Sequence, residues 1–233
     1  MKKNIISLSA VALIATAAIF TGCNKEDTTP PVVTLTGDAT KTIILNSTYT
    51  EEGATATDDE DGAITPTVSG TVNVDLTGTY TITYTAVDAA GNSSSATRTV
   101  IVRNEADIYE GTYTCTDPDF GGAPYSPWTQ TVTASTTINK HVVFDKFASR
   151  TGNSTVEGNL TGGTAFTLVP ITVSGIGSDG CSFAYTANGA GGTITQSGGK
   201  YTFTIKYFEE GIQGGVGCDA VPATPFEDTF VQQ

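Results

Sequence analysis

The chain has 233 residues, of which 24 are acidic and 11 basic, giving a formal charge of −13 with only 15% charged residues overall. That balance argues against nucleic acid and anionic lipid surfaces as partners and favours solubility, cations or neutral ligands. After the first twenty or so positions, no stretch carries apolar residues at helical spacing for more than a turn. An all-β protein is therefore expected, long enough for two modest domains.

At the N-terminus, Lys2 and Lys3 precede an almost uncharged run from Ile5 to Phe20. The run is shorter than the roughly 20 apolar residues a spanning helix needs, so residues 1–22 read as a secretory signal. Thr21 and Gly22 before Cys23 resemble the lipobox of bacterial lipoproteins, with Phe20 where leucine is usual. The resemblance implies that Cys23 is acylated and becomes the first mature residue, with residues 23–29 as a tether. Each buried acyl methylene contributes about 0.8 kcal/mol, so several chains together make a lasting anchor. Losing Lys2 and Lys3 leaves 9 basic against 24 acidic residues, a charge of −15.

Behind the cysteine, Lys25, Glu26 and Asp27 resemble the export signal of certain gram-negative lipoproteins. That implies an outer-membrane, lipid-anchored and surface-exposed protein; a solvated charged tether is the plainer reading. Asp27-Thr28-Thr29 also resembles an O-glycosylation acceptor of the same bacteria.

A first domain is expected over residues 30–103. Its best strand is 79–87, TYTITYTAV, where Tyr80, Ile82, Tyr84 and Ala86 alternate with threonines. A period of two places apolar groups on one face and hydroxyls on the other. Shorter runs at 32–36, 42–45, 54–57, 64–68, 71–75 and 97–102, with turns at Asp61-Gly62 and Gly91-Asn92, complete seven strands and predict an antiparallel sandwich.

Tyr49, Gly53, Asp58, Asp61-Gly62, Gly78, Tyr80, Tyr84, Asp88 and Gly91-Asn92 together resemble the bacterial Ig-like family of surface proteins and pesticidal crystal proteins. The resemblance implies a spacer, adhesion or presentation role. In this domain Asp58, Asp59, Glu60 and Asp61, with Asp88 from another loop, are the chain's candidate for calcium, which requires six to eight oxygens. Turn formation is the plainer role for them, and no metal is expected from cysteine or histidine spacing.

The second domain, 106–233, is richer in glycine and aromatics. Strands are expected at 109–116, 129–134, 141–144, 154–160, 165–173, 181–186, 192–196, 200–208 and 227–231. Short turns join neighbours, which predicts an antiparallel meander barrel, with a second β-sandwich as the alternative. Its opening IYEGTYTC is faintly similar to the first strand of lipocalin-like barrels. An odd number of cysteines leaves two pairings open, Cys115 with Cys181 or Cys181 with Cys218.

The only histidine, His141, begins a strand without a nucleophile motif, so no catalytic role and no cofactor is expected. The loop at 118–128 carries Phe120, Tyr125 and Trp128, whose faces suit sugar rings. Packing at the barrel end is the competing role for Trp128. Two readings result. One is a surface lipoprotein whose Ig-like stalk presents a barrel that binds a glycan or small ligand. The other is a structural or adhesive surface protein with a solid barrel, binding another protein.

Overall fold

The computed structural model describes residues 26–116, 128–145, 155–169, 172–176, 182–186, 191–210 and 224–233. All regular elements among them are strands, apart from one 3₁₀ turn at Asp107–Tyr109.

The first domain contains β1 (Val32–Leu35), β2 (Thr40–Ile44), β3 (Ala54–Asp58), β4 (Gly62–Ile64), β5 (Thr67–Ser69), β6 (Gly78–Val87) and β7 (Ser93–Arg103). One sheet has the order β1-β3-β4 and the other β2-β7-β6-β5. As the alternation predicts, Ile82, Tyr84 and Ala86 of β6 face inward, joined by Val100 and Val102 of β7.

Three expectations need correction. The sandwich is not wholly antiparallel: β2 runs parallel to β7, with Thr40 opposite Thr99 and Ile44 opposite Arg103. The two strands are far apart in sequence, so no tight hairpin forces them to oppose each other. The run expected at 64–68 is two strands in different sheets, divided at Pro66, which has no N–H for a ladder. Residues 71–75 form no strand, because Asn73 Oδ1 accepts the Asp75 N–H at 3.0 Å and turns the chain.

Arg98 also points inward from β7, fully buried. Its Nη2 donates to the carbonyls of Thr36 at 2.5 Å and Gly53 at 3.2 Å, while Nη1 pairs with Glu51 at 3.1 Å and Glu52 at 3.3 Å. The Tyr49 and Tyr84 hydroxyls and the Gly53 N–H all donate to Glu51. A buried guanidinium is tolerable only with such partners.

The second domain comprises β8 (Gly111–Thr116), β9 (Trp128–Ala134), β10 (His141–Phe144), β11 (Val156–Thr161), β12 (Ala165–Leu168), β13 (Thr172–Ile176), β14 (Ser182–Thr186), β15 (Gly191–Ser197), β16 (Lys200–Glu210) and β17 (Thr224–Gln232). Eight of them close into a ring, β8-β9-β10-β11-β12-β15-β16-β17, with β17 pairing back onto β8. The expected barrel is present, but the run at 165–173 is divided into β12 and β13, which take different partners. Strands β13 and β14 form a hairpin outside the ring. The long β16 holds β15 along its first half, β14 along its last three residues and β17 along its opposite edge.

Buried aromatic rings cluster in the described part of the barrel interior. Phe203 makes edge contacts with Tyr113, Phe144 and Phe166, each at 5.4 Å between ring centres, and Phe144 lies 6.0 Å from Phe230. Each such buried ring contributes about 2 kcal/mol. Gly192 makes room for this packing: a Cβ there would lie 2.3 Å from Phe166 and 2.4 Å from the Thr204 carbonyl. Gln130, on β9, is a polar residue in the wall, fully buried with neither amide atom hydrogen-bonded.

The two domains meet at Asn104. Its Nδ2 donates to the carbonyls of Ser135 and Ile138 at 2.7 and 2.8 Å, and its Oδ1 accepts from the N–H groups of Ala106 and Lys140. The β9–β10 turn that it grips also touches the base of the sandwich, where Thr77 N–H donates to the Thr136 carbonyl and Asn46 Nδ2 to that of Thr137.

Candidate functional site

Among the described residues, acidic side chains converge at the end of the sandwich opposite Asn104. Two turns build the site. In the β3–β4 turn, Asp58 Oδ1 accepts the N–H groups of Glu60 at 2.9 Å and Asp61 at 3.0 Å, and Gly62 takes the left-handed conformation at φ 74° that follows naturally after such a turn. In the β6–β7 turn, Asp88 Oδ1 accepts the Asn92 N–H at 2.7 Å and Oδ2 accepts Asn92 Nδ2 at 2.9 Å. Asp61 Oδ2 accepts the Ala89 N–H at 2.6 Å and so ties the two turns together.

The N-terminal segment supplies a third group. Asn92 Nδ2 donates to the Asp27 carbonyl at 3.1 Å, and the Ser94 hydroxyl to that of Pro31, which lays residues 27–31 beside the start of β7. One carboxylate oxygen each from Asp27, Asp58 and Asp88 then lies within 4.8 Å of the others. Asp88 is only 7% exposed. Burial works against its charge, but hydrogen bonds from the Asn92 side chain and the turn's N–H groups prevail and hold its pKa below the usual carboxylate value. Asp58 Oδ2 is out of contact with solvent and accepts no hydrogen bond.

The sequence-predicted calcium set is thus regrouped. Asp58 and Asp88 come together, Asp61 serves the turn-to-turn contact, and Asp59 and Glu60 are exposed on the turn. Asp27, read from sequence as part of an export signal, joins the cluster, and Glu26 beside it is exposed.

The other candidates are in the second domain or the N-terminal segment. Trp128 opens β9 opposite Cys115, which is buried. Phe120, Tyr125, Cys181, Cys218, Cys23 and Lys25 lie outside the described residues. His141 is buried, with Nδ1 2.8 Å from Asn159 Oδ1 and Nε2 3.1 Å from Glu157 Oε2 on the neighbouring strand.

Residues 33–102 match the family described as bacterial surface protein, Ig-like domain. No curated protein matches the chain. Among solved structures, a lipoprotein of Bacteroides thetaiotaomicron is similar at 18% identity and a TM-score of 0.32, covering 87% of this chain and 100% of that one. A Clostridium perfringens structure of a carbohydrate-binding module in complex with GlcNAc, together with INT domains, is similar at 16% identity and a TM-score of 0.26, covering 87% of this chain and 43% of that one. A multidomain protein from Bacteroides ovatus that includes DUF1735 is similar at 12% identity and a TM-score of 0.22, covering 65% and 55%. The chain is an all-β protein whose first domain is Ig-like and similar in sequence to those of bacterial surface proteins, followed by an eight-stranded barrel.

Proposed function

We propose that the protein is a non-enzymatic lipoprotein of the gram-negative outer membrane, anchored through Cys23 and exposed at the cell surface, with the Ig-like domain as stalk and the barrel as head. The observation that carries this reading is the aromatic packing around Phe203, a cluster of buried rings that supports a solid head. A solid head recognises with its outer surface, so the reading favours an adhesive or structural role toward another macromolecule over a small ligand held inside. The similarity of residues 33–102 to surface-protein domains supports the location. Asp27 is four steps along the chain from Cys23, a reach of at most about 14 Å, so the sandwich end with the acidic cluster would stand close to the lipid.

The test has two arms. Protease applied to intact cells is expected to remove the wild-type protein from the surface, while Cys23→Ala is expected in the soluble fraction. The chain from Asn24 onward, applied to a glycan panel and to whole cells, is expected to bind cells but no glycan. Glycan binding that Trp128→Ala abolishes at unchanged melting temperature would overturn the adhesive reading and make the 118–128 loop a glycan site.

A further inference from the structure

We propose that Asp27, Asp58 and Asp88 bind one calcium ion, which fastens the N-terminal tether to the end of the Ig-like domain. The donors are all carboxylate oxygens, which select a hard cation over zinc or copper. Calcium bonds to oxygen at about 2.3–2.6 Å, so two ligands of one ion lie at most about 5 Å apart. The three carboxylates, one oxygen from each within 4.8 Å of the others, meet that limit. Calcium's irregular coordination also suits donors from three separate chain segments better than magnesium's strict octahedron.

Turn formation does not account for the cluster. It explains Asp58 Oδ1, which accepts two turn N–H groups, but not Asp58 Oδ2, which is sealed from solvent without a donor. An ionised oxygen in that state is expensive unless a cation is its partner. Nor does it explain why Asp27, 31 positions before Asp58, brings a third negative charge to the same point. Among the described residues, no basic side chain forms an ion pair with any of the three; Arg98 is committed to Glu51 and Glu52.

The inference is tested by titrating calcium into chelator-treated protein, from Asn24 onward, by calorimetry and by thermal melting. One calcium per chain is expected, with the melting temperature rising by about 5 °C once calcium exceeds its Kd about tenfold. Magnesium at the same concentration is expected to raise it far less. Asp58→Asn keeps the Oδ1 acceptor of its turn, whereas Asp88→Asn keeps an acceptor for the Asn92 N–H but gives up the one for the Asn92 side chain; both are expected to weaken binding at least tenfold. Asp27→Asn lies outside the sandwich strands, so its fold is expected to be intact and its calcium affinity also reduced about tenfold. Absence of a heat or melting shift in the wild type overturns the proposal, as does an equal response to magnesium or an unaltered calcium response in all three variants. A response lost in Asp58→Asn and Asp88→Asn but unaltered in Asp27→Asn overturns the tether clamp.

Discussion

The backbone N–H of Asn139, in the β9–β10 turn of the barrel, donates to Asn46 Oδ1 at 3.1 Å, across 93 positions of sequence. Asn46 answers with its own Nδ2, which donates to the Thr137 carbonyl at 3.2 Å. This reciprocal contact stands beside Asn104, whose amide has both donors and two acceptor positions engaged. Asn104→Ala strands two carbonyls and two N–H groups at the junction, a cost of about 2–3 kcal/mol. Calorimetry is expected to show one joint unfolding transition in the wild type and two separate ones in Asn104→Ala.

Gln130→Leu is expected to stabilise the protein. The native amide is buried with both polar atoms unsatisfied, so an apolar side chain of similar size removes a penalty of about 1–3 kcal/mol. The urea midpoint should rise with the m-value unchanged; a lower midpoint would show that the amide has a partner in solution.

Arg98 and Lys41 both pair with Glu52, and their substitutions should differ severalfold in cost. Arg98→Ala leaves the carbonyls of Thr36 and Gly53 and the Glu51 carboxylate without their cation, for about 3–5 kcal/mol. Lys41→Ala removes a partly exposed ion pair, for less than about 1 kcal/mol. Chemical denaturation of the two variants checks the contrast.

The Glu51 cluster predicts loss of stability at both pH extremes. Burial works against the Glu51 charge, but hydrogen bonds from Tyr49, Tyr84 and Gly53 and the charge of Arg98 hold its pKa below the usual 4.5. A lowered folded pKa gives stability that is present above 4.5 and fades as pH falls through the folded value. Burial and the hydrogen bond to Glu51 push Tyr49 and Tyr84 up to about 12 from 10.0. Their contribution is complete below pH 10 and is lost as pH rises toward 12. Melting temperatures from pH 3 to 12 for wild type and Glu51→Gln are expected to converge at the acid end.

Gly192→Ala is expected to destabilise the barrel by about 1–3 kcal/mol or more, because its Cβ would clash with both the Phe166 ring and the Thr204 carbonyl. Gly162→Ala is no fair control, since Gly162 is left-handed at φ 71°. Thr193→Ala, exposed on the same strand, should change stability far less.

Alternation is a local signal, and it made the strand at 79–87 legible: its inward face, with Ile82, Tyr84 and Ala86 buried, is that of β6. Turn acids were legible as well, since Asp58 and Asp88 each precede a glycine at turn spacing. What brings them together was not, because it depends on how the two turns sit at one end of a sandwich. Asp27 was missed for the same reason: its neighbours in sequence speak of export, and its neighbours in space lie 31 and 61 positions away. Pro66 was a readable strand breaker that the apolar run around it outweighed. The parallel β2–β7 pair and the Asn104 junction are long-range pairings with no local pattern to announce them.

The Asn104 junction also governs how force crosses the molecule. A pull on the head leaves the sandwich at Arg103, the end of β7, and a pull on the tether arrives at Pro31, held beside the start of β7. The load therefore runs along the strands. Its ten paired positions between β6 and β7 resist together in shear, rather than opening one rung at a time as in a zipper. On the surface-anchored reading proposed above, the hydrogen bonds of Asn104 would hold the barrel at one angle to the sandwich, and neighbouring copies would stand like bristles of equal length, each offering the same side of the barrel to whatever drifts past.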